Sequence, residues 1–458
     1  MFLYIDPGTG SMLFTILISI FGAAFYLVRT LFVKLKFVFT GGKKVDKSKD
    51  RLPFVIYSDD KRYWNIFKPI CDEFIKRGKS VVYYTSSEDD PALNYNPEFI
   101  KAEFIGDGNK AFARLNVLNA AVVLSTTPSL DVFGWKRSDS VLWYVHIPHM
   151  ANDITTYRMF GLDHYDAILL SGEYQKRQIR KLEELRKLPA KEIELVGIPY
   201  MDVMKARVEK AGKPEAHTRT VLLAPSWGKS GILSKFGERA IDALLATGYK
   251  IIIRPHPQSF KSEKEMLDRL MAKYPDSDKI SWNRDTDNFE VLRNSDILIS
   301  DFSGVIFDFT LIFDKPVIYA DTSFDKSPYD AWWLDEELWT FEILPEMGLK
   351  LTEEGLSNIK ELIDKCIEDP SFKAGRDKAR SETWVHEGEG AVRTADYLFA
   401  KYDDLMAAEE EKKRKEEAEF AALLEKKKKK AEKKAAKKAK KAGNPEKPEE
   451  QTINQDKQ

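Results

Sequence analysis

Apolar runs and amphipathic segments alternate along most of this chain. The first unit is a strand-like run, FVIYS at 54–58, followed by an amphipathic stretch at 63–76 and a second strand-like run, SVVYY at 80–84. Strands that alternate with helices in this way are typical of a parallel sheet covered by helices. The pattern therefore predicts an α/β fold.

The alternation falls into two series, separated by a charged bridge at 205–219. The first series continues through AAVVLS, SVLWYVHI, DAILLS and IELVG, and the second contains TVLLAPS, KIIIRPHP, SDILIS and KPVIYA. Two such series predict two Rossmann-like domains, which we place at 52–210 and 219–406. Because open parallel sheets bind ligands at the carboxyl ends of their strands, we expect a cleft between the two domains.

The N-terminal segment has a different character. Residues 11–28 carry no charge, and a run of roughly 18 such residues is long enough to cross a bilayer as a helix. Basic residues follow this run and none precedes it, so the positive-inside rule predicts a single-pass membrane anchor at 1–40, a linker at 41–51 and a cytoplasmic catalytic part. A helix lying along the membrane surface is the alternative.

The C-terminal segment, 407–458, is predicted to be a charged tail, helical or disordered. Between Glu411 and Lys441 it holds 15 Lys and Arg against 6 Glu, within a chain whose formal net charge is only -1. Lysines without interleaved aromatic residues do not favour nucleic acid as the partner. Anionic lipid is the partner we expect, and a solvated tail is the alternative.

The stretch IIIRPHPQ ends a predicted strand with an arginine and a histidine between two prolines. Pro255 and Pro257 lack an N–H and fix φ, so they end the strand and stiffen the backbone around His256. We expect Arg254 and His256 to face the cleft.

Two further loops follow predicted strands of the second series. In SDFSGVIFDF, Ser303 is expected to cap a helix whose first N–H groups a ligand could approach over Gly304, which would make an anion site. In APSWGKSG, the position that a Walker motif would require to be glycine is Leu223, so no P-loop is predicted. Lys229 of this loop could meet phosphate as a point charge or remain solvated.

Metal binding is not expected. His146 and His149 of WYVHIPHM lie three residues apart, but Pro148 disfavours a shared helical face and no third ligand is evident. Asp287 is interpreted as the start of a capping box with Glu290 rather than as a metal ligand. The two cysteines, far apart in sequence, indicate neither a disulfide framework nor a zinc site.

Several of these strings together resemble the CDP-glycerol glycerophosphotransferases of teichoic-acid and capsule synthesis. They are VHIP, YDAILLSGEY, ELVGIPYMDVM, LLAPSW, IIIRPHP, SDILISDFSGVIFDFTLIFDKPVIY and EGEGAVRTADYL, and they span about 141–398. The resemblance implies a GT-B-like fold with an acceptor-side first domain and a donor-binding second domain. It further implies transfer of glycerol phosphate, or a related alditol phosphate, from a CDP-activated donor to a hydroxyl of a membrane-linked polymer or glycolipid, with release of CMP and no cofactor.

The resemblance also implies roles for individual residues. His146 is expected to remove the acceptor proton, with His149 as a substitute, and His256 is expected to stabilise the leaving nucleotide. The donor phosphates would be bound by a set of polar residues around the cleft: Arg254, Ser303, Gly304, Asp301, Ser226, Lys229 and Arg393.

Three departures from the family pattern accompany these assignments. The first histidine stands in Val-His-Ile where the family has Trp-His-Gly, Gly304 replaces a serine, and Tyr200 replaces a common arginine. They leave two alternatives open: a nucleotide-sugar glycosyltransferase or UDP-sugar 2-epimerase, and a non-catalytic CDP-alcohol-binding membrane protein. The nucleotide released would separate the first alternative from a glycerophosphotransferase.

Overall fold

The structure is a computed structural model that describes residues 50–285, 287–320, 324–327 and 329–442, with side chains to residue 436. The predicted membrane anchor at 1–40 and nearly all of the linker lie outside the described residues. Within the described residues, no helix combines the length and apolar character needed to cross a membrane.

The first half of the described chain forms a seven-stranded sheet. Its order is β3-β2-β1-β4-β5-β6-β7, and every neighbouring pair is parallel. The strands are β1 Leu52–Ser58, β2 Val81–Thr85, β3 Ile100–Phe104, β4 Ala120–Ser125, β5 Val141–His146, β6 Ala167–Leu170 and β7 Glu192–Leu195. All six residues of β4 are buried, as expected for a central parallel strand with helices on both faces.

The second half of the described chain forms a six-stranded parallel sheet in the order β10-β9-β8-β11-β12-β13. Its strands are β8 Thr220–Leu223, β9 Lys250–Ile253, β10 Ile280–Trp282, β11 Ile297–Ser300, β12 Val317–Ala320 and β13 Gly348–Leu351. Two parallel sheets in one α/β chain confirm the predicted fold class. The predicted domain boundaries stay predictions.

Helices cover both sheets. The α-helices are Trp64–Lys76, Asn109–Leu115, Glu173–Arg186, Pro199–Ala211, Ile232–Phe236, Glu238–Ala246, Ser259–Ser262, Lys264–Lys273, Phe289–Arg293, Val305–Phe307, Trp339–Met347, Ile359–Glu368, Phe372–Thr383 and Gly390–Ala442. Short 3₁₀ helices occupy Lys61–Tyr63, Pro91–Asn94, Ile154–Thr156 and Glu354–Asn358, and a π-helix at Asp308–Ile312 continues Val305–Phe307.

The last helix, Gly390–Ala442, returns to the first sheet. The ring of Phe399 lies 5.3 Å from that of Phe54 in β1, and the ring of Tyr402 lies 5.0 Å from Phe54. Aromatic contacts of this kind remove apolar surface from water at the first sheet. Residues 390–406 were predicted as part of the second domain, but they pack on the first, because their apolar side chains complete the cover of β1.

The same helix then continues into the predicted tail as unbroken helix through Ala442. From 407 to 436 almost every residue is exposed, including Phe420, Leu423 and Leu424. The part of the tail that the structure describes is therefore helical, and its apolar side chains lie on no described core.

Candidate functional site

A cleft opens where the strands of both sheets end. Because all strands of each sheet are parallel, their carboxyl ends share one edge, and the loops that follow them line this cleft. A cavity of about 750 Å³, here called the main lobe, is lined by His149 and Tyr200 of the first half and by Arg254, His256 and Ser303 of the second. The main lobe therefore combines groups from both sheets.

A second cavity of about 380 Å³ adjoins the main lobe and shares His256, Ser303 and Gly304 with it. Aromatic side chains dominate its lining, so it is called the aromatic lobe: they are Phe302, Phe324 and Phe341, together with Trp227 and Tyr329, which also line the main lobe. Trp227 has 46% of its surface exposed at this place, which is unusual for so large an apolar side chain. Exposed aromatic rings in a cleft can stack on a planar ligand.

His256 stands at the boundary of the two lobes. Its Nδ1 accepts a hydrogen bond from the backbone N–H of Gln258 at 3.1 Å. A neutral imidazole that accepts at Nδ1 carries its proton on Nε2, and Nε2 donates to no described residue. Burial, and then the charge of Arg62, lower the pKa of His256 to about 4. The ring is therefore a neutral N–H donor that faces the cleft.

Arg254 precedes this histidine in the same loop. Its backbone N–H donates to the carbonyl of Leu223 at 2.8 Å, which extends the ladder one residue beyond β9 before Pro255 ends it. Its guanidinium donates to Oδ1 of Asn283 and forms no ion pair with any described carboxylate. Burial lowers its pKa from the ordinary value, yet the group stays charged near neutral pH. Its remaining N–H groups can meet an anionic ligand.

Ser303 and Gly304 line both lobes, as the sequence indicated, but the predicted cap is wrong. The helix that begins at Val305 has Gly304 as its N-cap, and no side chain caps it. The Ser303 hydroxyl is therefore not used by the helix end and faces the cleft. A Cβ at Gly304 would lie 3.1 Å from Sδ of Met150, so the glycine allows the first-half wall to approach closely.

Asp301, predicted to bind donor phosphate, lies beneath the cleft instead. It is 1% exposed, and its carboxylate accepts hydrogen bonds from the backbone N–H groups of Ser226, Ile232 and Phe302. Its function in the structure is to hold the loop that carries Ser226 and Lys229, both of which line the aromatic lobe. A buried carboxylate bonded in this way does not contact ligand.

The two histidines at the end of β5 have different surroundings in the structure. His146 is 0% exposed; its Nε2 lies 3.1 Å from the Tyr157 hydroxyl, and the Tyr165 ring packs 5.0 Å from its own. Its Nδ1 has no described partner, and burial lowers its pKa well below the ordinary value. His146 lines neither lobe, because Tyr157 closes over it.

His149, by contrast, lies in the wall of the main lobe. Its Nδ1 is 3.3 Å from Oγ1 of Thr126, and burial, then the charge of Arg62, lower its pKa to about 4. When Nδ1 donates to the threonine, Nε2 is left as an acceptor. Of the two histidines, His149 is the one that geometry allows to receive a proton from a substrate.

Arg393 is not part of the cleft. Its Nε donates to Oε2 of Glu389 at 2.7 Å on the last helix, and it lines neither lobe. The neighbouring Gly388 and Gly390 instead donate their N–H groups to the carboxylate of Asp202 at 2.8 and 2.9 Å. The EGEG string thus connects the first half to the last helix, and Arg393, predicted to bind donor phosphate, lies outside both lobes.

Sequence reasoning missed a carboxylate that lines the main lobe. Asp308, in the π-helical turn, accepts from the Tyr200 hydroxyl at 2.5 Å and from Nδ2 of Asn288 at 3.4 Å. Burial raises its pKa to about 6. The string SDFSGVIFDF contained Asp308, but its spacing gave no sign that Tyr200, over one hundred residues earlier in the chain, would be its partner.

Asp287 is a local cap, although not through the predicted capping box. Its Oδ1 accepts from the Phe289 N–H at 3.1 Å, and Oδ2 pairs with Arg207 at 2.6 Å. Glu290 lies 3.7 Å from Arg293 and does not reach back. Within the described residues, no group of three or more His, Cys, Asp or Glu is placed to hold a metal ion. That a metal is not required stays a prediction.

Several solved structures share this fold. The wall teichoic acid polymerase TagF, in a variant form, is 16% identical, with a TM-score of 0.52 over 80% of this chain and 92% of that one. A Staphylococcus aureus MnaA structure with UDP is 12% identical, with a TM-score of 0.52 over 78% and 97% of the two chains. The UDP-GlcNAc 2-epimerase of Methanocaldococcus jannaschii is 13% identical, with a TM-score of 0.51 over 76% and 99%. At such identities these likenesses establish the GT-B-like fold alone.

No curated protein sequence matches the chain. A family model does: that of the CDP-glycerol:poly(glycerophosphate) glycerophosphotransferases matches residues 54–339, more than half of the chain. This match confirms the resemblance found in the sequence and the predicted transferase class, and it does not favour the nucleotide-sugar alternatives. The chain belongs to the CDP-glycerol:poly(glycerophosphate) glycerophosphotransferase family.

Proposed function

We propose that this chain performs its transfer by in-line attack of an acceptor hydroxyl on the β-phosphate of CDP-glycerol. The observation that carries the proposal is the position of His256, which presents a neutral Nε2–H to the cleft beside Arg254 and Ser303. A cation and neutral donors that line one cavity suit a pyrophosphate whose charge shifts during the reaction. Most of the rate enhancement would come from positioning and charge stabilisation.

Residues of the cleft can accept both the charge and the proton that this transfer releases. The acceptor oxygen forms a bond to the β-phosphorus, and the bond from that phosphorus to the bridging oxygen breaks, so CMP leaves with the bond's electron pair. Arg254 and the Nε2–H of His256 would stabilise the negative charge on the leaving phosphate. The proton of the acceptor hydroxyl would pass to Nε2 of His149.

His149 is proposed as the base because it lines the main lobe, whereas His146 is sealed behind Tyr157. A pKa of about 4 keeps the ring unprotonated at neutral pH. A bound pyrophosphate would raise that pKa, since an anion nearby favours the protonated ring. The base would thus become stronger when the donor is present.

We also propose a membrane setting for the reaction. The uncharged run at 11–28 and the basic residues that follow it support an anchored protein with its catalytic part on the cytoplasmic side. The lysine-rich part of the last helix supports a second attachment to anionic lipid, at on the order of 1 kcal/mol for each lysine near the surface. A membrane-linked polymer would then meet the cleft as its acceptor.

A donor screen tests the transfer directly. The full-length protein would be supplied with CDP-glycerol, CDP-ribitol or UDP-N-acetylglucosamine and an acceptor polymer, and the released nucleotide identified. We expect CMP from a CDP-alditol and no UDP, with the His256→Ala variant as the matched control. UDP release from the sugar donor, or no CMP from any donor, would contradict the proposal.

A further inference from the structure

Another cavity, of about 540 Å³, lies at the edge of the first sheet that is opposite to the cleft. It is lined by residues at the amino-terminal ends of three strands, Leu52, Val81 and Lys101, and by Phe399 and Tyr402 of the last helix. Since β1 has seven residues and a strand rises about 3.3 Å per residue, about 20 Å of sheet separates this cavity from the cleft. The cavity, here called the amino-edge pocket, is therefore distinct from the transfer site.

The amino-edge pocket combines an apolar wall with free cations. The wall contains the ring of Phe54, against which the rings of Phe399 and Tyr402 pack. Lys79 and Lys101 are exposed residues of the same lining, and neither amine forms an ion pair with a described carboxylate. An apolar surface beside unpaired lysines suits an amphiphilic ligand with an anionic group.

Two further charged residues line this pocket. The guanidinium of Arg77 donates to Asp396 at 2.6 Å and lies 3.4 Å from Glu73, so its charge is already matched within the protein. Asp403 is the one carboxylate among the described residues of the lining, and the two lysines outnumber it. The pocket thus keeps an excess of positive charge that an anionic ligand can neutralise.

The chain on both sides of the pocket indicates where such a ligand would come from. Leu52 follows the end of the predicted anchor, 1–40, by twelve residues, which span at most about 40 Å when fully extended. After Asp403 the last helix continues, and its next basic residue, Lys412, lies about 14 Å farther along the axis. Both predicted membrane attachments therefore leave the described fold beside the amino-edge pocket.

We propose that the amino-edge pocket binds one anionic phospholipid of the membrane. Lys79 and Lys101 would contact the phosphate of the headgroup, and the first part of an acyl chain would lie against Phe54 and Phe399. The proposal rests on the membrane setting proposed above and not on the transfer reaction. A lipid bound here would hold this edge of the first sheet at the bilayer and leave the cleft, at the opposite edge, open to its substrates.

Lipid titration of the full-length protein in a non-ionic detergent tests this site, with bound molecules counted by native mass spectrometry. The probes are dioctanoyl-phosphatidylglycerol, dioctanoyl-phosphatidylcholine, whose headgroup has no net charge, and glycerol 3-phosphate, which lacks acyl chains. We expect one bound phosphatidylglycerol, preferred by about tenfold or more over each of the other two probes. The double variant Lys79→Gln/Lys101→Gln should remove the preference over phosphatidylcholine, and Val82→Phe, which narrows the pocket, should weaken binding of both lipids.

The double variant Lys250→Gln/Lys279→Gln is the matched control. These two exposed lysines lie at the amino edge of the second sheet and outside the amino-edge pocket, so their variant should bind lipid as the wild type does. Both double variants should release CMP at the wild-type rate with an acceptor in solution, because the cleft is unchanged.

Three results would overturn the proposal. They are equal binding of the two lipids by the wild type, wild-type preference in the Lys79→Gln/Lys101→Gln protein, which would assign the lipid to the lysine-rich helix, and no bound lipid at all, which is expected if another part of the chain covers the pocket. Absence of CMP release by the wild type would overturn the proposed function instead, and the lipid titration would be unaffected.

Discussion

His146 is the last residue of the parallel strand β5 and His256 lies three residues after the parallel strand β9, yet the structure gives them opposite surroundings. His256 is held between two prolines with one nitrogen bonded to its own loop and the other facing the cleft. His146 is closed off by Tyr157 and Tyr165. A histidine at the end of a strand is therefore available for chemistry only if the chain that follows does not fold back over it.

The strongest test of this comparison is to replace each of the two first-half histidines, His146 and His149, by alanine. We expect His149→Ala to lower kcat by about 100- to 10,000-fold, the range for loss of a general base. His146→Ala should leave kcat of the folded protein near that of the wild type but destabilise the fold by about 1–3 kcal/mol, because it empties a buried site. Steady-state kinetics and thermal melts of both variants provide the measurement.

Equal loss of turnover in a folded His146→Ala protein would return the base to His146 and require Tyr157 to move when substrate binds. A His149→Gln variant separates proton transfer from packing, since it keeps a polar side chain of similar size without a basic nitrogen.

In the second half of the chain, His256→Ala should lower kcat by about 100- to 1000-fold. The variant removes the Nε2–H group that would donate a hydrogen bond to the leaving phosphate. The fold should be unaffected, since Pro255 and Pro257 set the local backbone. Circular dichroism and release of CMP provide the measurement. Near-normal turnover in the folded variant would remove His256 from the mechanism.

Like the two histidines, Asp308 is an ionisable group whose pKa is shifted by burial, and at neutral pH its burial as a charged carboxylate lowers the free energy of unfolding. Its folded pKa of about 6 exceeds the unfolded value of 3.8, so its stabilising contribution is complete below pH 3.8 and is lost as the pH rises through 6. Asp308→Asn should therefore raise the free energy of unfolding at pH 8 by up to about 3 kcal/mol relative to the wild type. Melting curves from pH 4 to pH 8 check this: the gain in Tm should shrink toward pH 4, and a gain independent of pH would disprove it.

The smallest effect is expected at Asp287, which caps Phe289, and at Asp285 two residues before it, which accepts a hydrogen bond from Asn283. Replacing Asp285 and Asp287 by asparagine keeps oxygens for Phe289 and costs the ion pair with exposed Arg207, about 0.5–1 kcal/mol. Turnover should be unchanged, with or without a chelator. A large loss of turnover that added divalent metal restores would show that this pair binds a metal.

The first-half and second-half sides of the cleft also differ in how well the sequence predicted them. The position of the loop IIIRPHP was predictable because its two prolines restrict the backbone locally. That restriction fixes the direction of the side chain of His256 between them. Ser303 and Gly304 were likewise predicted at the cleft because they follow a strand that ends there.

Asp301 and Arg393 were misplaced for different reasons. Asp301 is buried beneath the cleft by backbone N–H partners, two of them from a distant segment, that no spacing reveals. Arg393 pairs with Glu389 four residues earlier, and only the packing of the last helix places the pair outside the cleft.

By itself, the sequence determined the two α/β series, the strand ends that face the cleft and the family, because hydrophobic period, proline and glycine act over a few residues. Only the tertiary structure decided which polar side chains share the cleft. Tyr200 meets Asp308, Tyr157 closes over His146, and the last helix returns to β1 beside Phe54. Each of these contacts depends on how the two sheets and their helices pack, which no local pattern in the chain specifies.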